Sequence, residues 1–146
     1  MKDEIIIHTD GGSRGNPGPA AAAFIVEQNE IIIYQESKFL GNATNNIAEY
    51  NGVVIALEWI IREQSIHNTQ SSIIFYLDSE LVVKQINGLY KVKDNNLKVL
   101  HNLILDLLKK VSVNVIFKNV LREKNKLADS IVNQELDKHF VRVSRP

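Results

Sequence analysis

A chain of 146 residues with 45% apolar and 23% charged side chains has the composition of a folded globular protein, with length for one core of roughly 100 to 200 residues. It contains no cysteine and its formal net charge is zero, which excludes disulfides and thiolate metal sites and any uniformly basic nucleic-acid binder. The longest apolar run, Gly52 to Ile61, carries Glu58 and falls well short of the roughly 18 to 20 residues of a membrane span, so a spanning helix is excluded.

The charge is unevenly spread. Residues 1–77 hold 4 basic and 9 acidic groups, a net −5, and residues 78–146 hold 13 and 8, a net +5. Lys84, Lys91, Lys93, Lys98, Lys109, Lys110 and Lys118 form the densest basic stretch. Such asymmetry permits a phosphate-facing surface, although on charge alone solvated helix faces are the more ordinary account. The start, Met1-Lys2-Asp3-Glu4, leads into isoleucines with no cleavage-site pattern, and a cytosolic monomer is expected.

Glu4 to Asp10 reads as a strand ended by Gly11-Gly12, with a turn through Ser13 to Pro19. Ala20 to Glu27 and Glu30 to Ser37 are β-prone runs separated by Gln28-Asn29, so strands one to three form an antiparallel meander. From Asn46 the period changes to helical, with Ile47, Val54, Ala56, Leu57, Ile60 and Ile61 recurring over about four turns. Trp59 on this helix is expected in the core. Ser72 to Leu77 is a short apolar run typical of a strand buried on both faces. A helix follows with Leu81, Val82 and Ile86 inward, ending at Asn87-Gly88, and Leu97 to Lys110 repeats leucines at helical spacing. Val111 to Lys118 is a strand, Leu121 to Lys124 a loop, and Asn125 can cap a last helix to about Lys138. The tail from Phe140 to Pro146 reads as an extra strand or a frayed end. No repeat or linker divides residues 1–146, and one domain with a tail at 139–146 is expected. The order predicts an α/β fold with a five-stranded mixed sheet, strands one, four and five parallel and helices on its faces.

The first and fourth strands both run into aspartate, Asp10 and Asp78. In α/β sheets ligands gather beyond the carboxyl ends of parallel strands. If the two strands are neighbours, both carboxylates project at one edge, an arrangement that is costly unless a cation lies between them. Either residue alone suits a turn or a cap. Glu49 stands three residues after Asn46 and Asp129 four after Asn125. These spacings fit a capping box and a helix-dipole partner as well as they fit a site.

Asp10-Gly11-Gly12 with Gly15-Asn16-Pro17-Gly18, Asn45-Asn46-Ile47-Ala48-Glu49, Asp78-Ser79 and Asn125-Lys126-Leu127-Ala128-Asp129 occur in this order. Each motif is weak alone. The ordered set, spanning Ile5 to about Leu136, resembles the type 1 ribonuclease H family, which cuts the RNA strand of RNA–DNA hybrids. That resemblance implies a catalytic, metal-holding set of Asp10, Glu49, Asp78 and Asp129, with two Mg²⁺ or Mn²⁺ ions on hard oxygen ligands and products ending in 3′-hydroxyl and 5′-phosphate. It also implies an RNA–DNA hybrid as partner, contacted by Gly11, Gly12, Arg14, Asn16, Thr44, Asn45 and Asn46. Thr44 and Asn16 match a pocket for a DNA phosphate.

The chain departs from well-known bacterial members of that family in two ways. It lacks their long basic insertion, so grip falls to Lys84, Tyr90, Lys91, Lys93 and Lys98, predicting salt-sensitive binding. It has Leu121-Arg122-Glu123 where they carry a loop histidine, a pattern like the short archaeal-type branch. Arg122 joins the catalytic set as a phosphate or leaving-group contact, since guanidinium cannot serve as a base near neutral pH. Two other readings stay open: a non-catalytic nucleic-acid-binding module on the same fold, and a phosphotransferase using the Asp10-Gly11-Gly12 turn. The latter lacks a Gly-Lys-Ser/Thr phosphate loop. His8, His67, His101 and His139 have no metal-ligand spacing.

Overall fold

The computed structural model describes residues 4–64 and 72–144, and His67 lies outside them. Among the described residues five strands and four α-helices follow in the order β1 (Ile5–Ser13), β2 (Gly18–Gln28), β3 (Ile31–Ala43), α1 (Asn45–Arg62), β4 (Ile73–Leu77), α2 (Glu80–Ile86), α3 (Asn95–Lys109), β5 (Val115–Asn119) and α4 (Lys126–Ser144). A short 3-10 turn at Arg122–Lys124 precedes α4 where a loop was expected. The strands make one sheet in the order β3-β2-β1-β4-β5. β1 pairs antiparallel with β2 and parallel with β4, and β4 pairs parallel with β5. This is the predicted mixed sheet. Among the described residues no helix is long and apolar enough to cross a membrane.

Strand alternation distributes β2 between two cores. Ala22, Phe24 and Val26 face α1 with Ile5, Ile7, Val53, Leu57 and Phe75, whereas Ala21, Ala23 and Ile25 face Ala128, Ile131, Val132 and Leu136 of α4. Phe24, Leu57 and Phe75 have no exposed surface, and each fully buried side chain of this kind contributes about 1.5–3 kcal/mol. Trp59 is in the core as predicted, its ring stacked on Tyr34 at 5.0 Å.

Several elements depart from the sequence reading. β1 does not end at Asp10: Gly11 and Gly12 stay in the ladder opposite Ala22 and Ala21, because small residues on both strands let the pairing continue to Ser13. β3 likewise runs on to Ala43, and β5 begins four residues later than expected. Leu81 and Leu103 are 41% and 38% exposed, and Val83 and Ile104 fill the inward positions. α4 reaches Ser144, so residues 140–144 continue the helix and are not an added strand.

The contact that seats α1 on β1 depends on two residues without side chains. A methyl group added to Gly11 would collide with the Ala48 carbonyl, and one added to Gly52 would lie 2.8 Å from the Asp10 carbonyl oxygen. Gly11 therefore serves helix packing. At Gly12 the nearest atoms are 3.9 Å away, ordinary contact distance. Gly11→Ala and Gly52→Ala are each expected to lower stability by about 1–3 kcal/mol, as over-packing does, whereas Gly12→Ala is expected to cost less than either. Urea unfolding of the three variants checks the order.

Candidate active site

β1 supplies Asp10 beyond its last pairing with β4. That pairing ends at His8↔Tyr76, and extending the register by two residues brings Asp10 beside Asp78. The same parallel spacing that builds the sheet thus sets two carboxyl groups together where β4 stops. Glu49 comes from the first turns of α1, and its role differs from the capping box read in the sequence. Thr44 caps α1 by accepting from the Ile47 N–H at 3.2 Å, which leaves the Glu49 carboxyl to point at Ser79, whose hydroxyl donates to it. Asp129 arrives from the first turn of α4.

These four acids line one cleft of about 790 Å³ together with Gly11, Gly12, Asn16, Thr44, Asn45, Asn46 and Arg122. The electrostatics are those of crowded anions. Asp10, only 9% exposed, is pushed up from 3.8 to about 8, first by burial and then by Asp78, with Asp129 and Glu49 adding to it and the Gly11 N–H opposing. Burial pushes Glu49 from 4.5 up to about 7, Asp78 adding to it, while Ser79 and Arg122 pull it down. Glu49 Oε2 is buried with no hydrogen-bond partner.

Among the described residues no three His, Cys, Asp or Glu side chains stand close enough to hold a metal ion as they are. The acids share a cleft without closing into a cage. Even so, an unpartnered buried carboxylate oxygen and carboxyl groups held protonated near neutrality are what a hard divalent cation would relieve, and the donor set is all oxygen.

The cleft wall is prepared for donors. Asn45 Oδ1 accepts from Ser13 N at 2.8 Å and from Ser13 Oγ at 3.2 Å, and Asn16 Oδ1 accepts from Asn45 N at 3.0 Å. With both amide oxygens so engaged, the side-chain N–H groups of Asn45 and Asn16 are the parts suited to a ligand. Arg14 is directed elsewhere, bonding Asp137 of α4 at 2.6 Å and reaching Asn133. Lys84, Tyr90, Lys91 and Lys93 do not line the cleft. They occupy α2 and the connection to α3, where Lys84 Nζ pairs with Glu80 at 3.2 Å and lies 5.0 Å over the Tyr90 ring.

Sequence reasoning missed three contributors. Asp94, the N-cap of α3, and Asn96 line the cleft, and no motif marks them. Asn125 was read as a cap for α4, but its side chain bonds Thr9, Asp78 and His8. His8, His101 and His139 do not line the cleft.

Comparison with known proteins places this geometry. The family described as reverse transcriptase-like matches residues 8–135. The bifunctional protein Rv2228c of Mycobacterium tuberculosis is 32% identical over 136 residues, covering 92% of this chain and 36% of that protein. Ribonuclease HI of Halobacterium salinarum is 33% identical over 129 residues, covering 88% of this chain and 62% of that enzyme. The chain therefore spans about a third to three fifths of these curated relatives. Among solved structures, LC11-RNase H1 in complex with RNA/DNA hybrid superimposes with a TM-score of 0.86 at 37% identity, covering 93% of this chain and 99% of that one.

The pKa shifts set a sign. Asp10 and Glu49 hold their protons to about 8 and 7 in the folded chain and release them near 3.8 and 4.5 when unfolded. Between those values the folded state binds more protons, so stability of the metal-free protein falls as pH rises from about 4 to about 8. Asp10→Asn is expected to flatten that fall and to raise the melting temperature at pH 8, measured in chelator. Millimolar Mn²⁺ or Mg²⁺ is expected to raise the wild-type melting temperature and to raise that of Asp10→Asn less.

Proposed function

Because this chain belongs to the reverse transcriptase-like family and is of the ribonuclease H1 type, we propose that it is a metal-dependent endoribonuclease that hydrolyses the RNA strand of RNA–DNA hybrids. The observation that carries the reading is the convergence of Asp10, Glu49, Asp78 and Asp129 in one cleft, with burial and the neighbouring carboxyl groups raising the pKa of two of them. In this reading the four carboxyl groups hold two Mg²⁺ or Mn²⁺ ions. Bound there, such a pair supplies an activated water and charge neutralisation for in-line displacement, giving 3′-hydroxyl and 5′-phosphate ends.

The chain's own groups do the rest. Arg122 lies near enough to Glu49 to lower its pKa, and its guanidinium is suited to the scissile phosphate or the leaving oxygen as a fixed positive charge, not as a base. Thr44 Oγ already accepts from the helix N–H, so its hydroxyl proton is available to donate to a phosphate oxygen. The N–H groups of Asn16 and Asn45 suit phosphate and minor-groove acceptors, and selection of the RNA strand comes from the 2′-hydroxyl and duplex shape. Exposed Lys91 and Lys93, near Asp94 at the cleft, extend the contact along the backbone by charge alone.

Asp10→Asn and Asp78→Asn are expected to fold and to cut a labelled hybrid about 100-fold more slowly or worse in Mg²⁺, since each removes a charge the reaction depends on. Hybrid binding without turnover by the wild type at every Mg²⁺ and Mn²⁺ concentration would instead select a non-catalytic binding module. Lys91→Ala with Lys93→Ala is expected to reduce the slope of log affinity against log salt by about one to two, measured by fluorescence anisotropy with uncut substrate in chelator.

A further inference from the structure

Asn125 is 1% exposed, just ahead of α4 and between β1 and β4. Its Nδ2 donates to the Thr9 carbonyl oxygen at 2.8 Å and to Asp78 Oδ2 at 3.3 Å. Both partners are acceptors, so the amide oxygen must face away from them, and there His8 Nδ1 stands 3.1 Å from Oδ1. An amide oxygen only accepts, which places a proton on His8 Nδ1. Nε2 lies 3.1 Å from Glu27 Oε2 on β2, which also only accepts, so both contacts hold together when each ring nitrogen carries a proton, and the ring packs against Tyr76 of β4 at 5.4 Å.

We propose that Asn125 is a positioning residue for Asp78, and that His8, held between Glu27 and Asn125, locks the amide in the orientation that donates to Asp78. The inference rests on the reading of the acid cleft as the metal-holding site. Turning the amide over would set its oxygen against the Thr9 carbonyl and the Asp78 carboxylate, and its N–H₂ against the His8 N–H. The clash with Thr9 is buried and the other two are part-buried, where unpaired polar atoms are costly. The lock therefore makes one amide orientation persist and fixes one Asp78 oxygen, leaving the other for the cleft. Residues that orient a ligating carboxylate in this way affect metal affinity about 10- to 100-fold when lost.

The test uses His8→Phe, which keeps a ring and removes the donor, and His8→Asn, whose amide can place an N–H where Nδ1 stood. Mn²⁺ binding to the substrate-free protein is read by calorimetry, and kcat and KM are read on a hybrid. His8→Phe is expected to weaken Mn²⁺ binding and to lower kcat about tenfold, with KM nearly unchanged. His8→Asn is expected to restore most of both. Wild-type Mn²⁺ affinity in folded His8→Phe, or equal damage in His8→Asn, overturns the proposal, because packing alone would then be the role of the ring. A readout that needs no variant is the nitrogen NMR spectrum of His8: a proton on Nδ1 supports the lock and a bare Nδ1 overturns it. If the wild type cuts no hybrid, the nuclease reading falls by itself, and the Mn²⁺ titration still decides the positioning claim.

Discussion

Negative charge brought out of water is the constraint around which this protein is arranged. Asp10 is almost buried and its carboxyl group faces Asp78, Asp129 and Glu49. In an unsupported chain such groups would separate, since burial and like-charge proximity both disfavour the ionised form. They stay together because each is anchored by an element with its own reason to be there. β1 is the central strand, with Ile5 and Ile7 buried on the face that meets α1, and β4 lies parallel beside it. α1 and α4 pack on opposite faces of the sheet. Burial of Ile5 and Ile7 of β1 against α1, and of Ala21, Ala23 and Ile25 of the neighbouring β2 against α4, thus offsets the electrostatic cost at the end of β1.

The closeness of α1 to β1 is part of the same arrangement. With Gly11 and Gly52 at the crossing, backbone meets backbone, and Glu49 is held against the end of β1. A larger residue at either place would move the helix outward and take Glu49 with it. The two glycines thus set the position of Glu49 through packing.

Much of this could be read from residue order. The meander of β1 to β3, the buried run of β4 and the periodicity of α1 and α3 follow from simple alternation and spacing, and the ordered motifs named the four acids. What escaped reading was decided by tertiary partners. Whether Gly11-Gly12 ends a strand depends on Ala21 and Ala22 lying opposite. Whether Glu49 caps its helix depends on Thr44 doing so instead. Asn125 looked like a cap because asparagine before a helix usually is one, and only contacts more than 40 residues away, to Thr9 and Asp78, reveal its use. Asp94 and Asn96 reach the cleft through the packing of α3, for which local sequence carries no mark.

The short segment between β5 and α4 gathers the opposing forces. Arg122 in its 3-10 turn draws the Glu49 carboxyl toward ionisation, while three residues later Asn125 donates to Asp78. Asp129, one helical turn further, adds a fourth anion and raises Asp10. A stretch of eight residues, Arg122 to Asp129, therefore carries a fixed positive charge, a neutral donor and a carboxylate to three different members of the cluster. A flexible loop could not hold those three at once, because Asn125 must stay within hydrogen-bonding reach of Asp78, and Arg122 close enough to act on Glu49, while α4 keeps its packing on Ala21, Ala23 and Ile25. The tight turn and the buried Asn125 supply that rigidity. The arrangement joins the chemistry of the cleft to the second hydrophobic core, so substitutions in the α4 interface act on the acids without touching them.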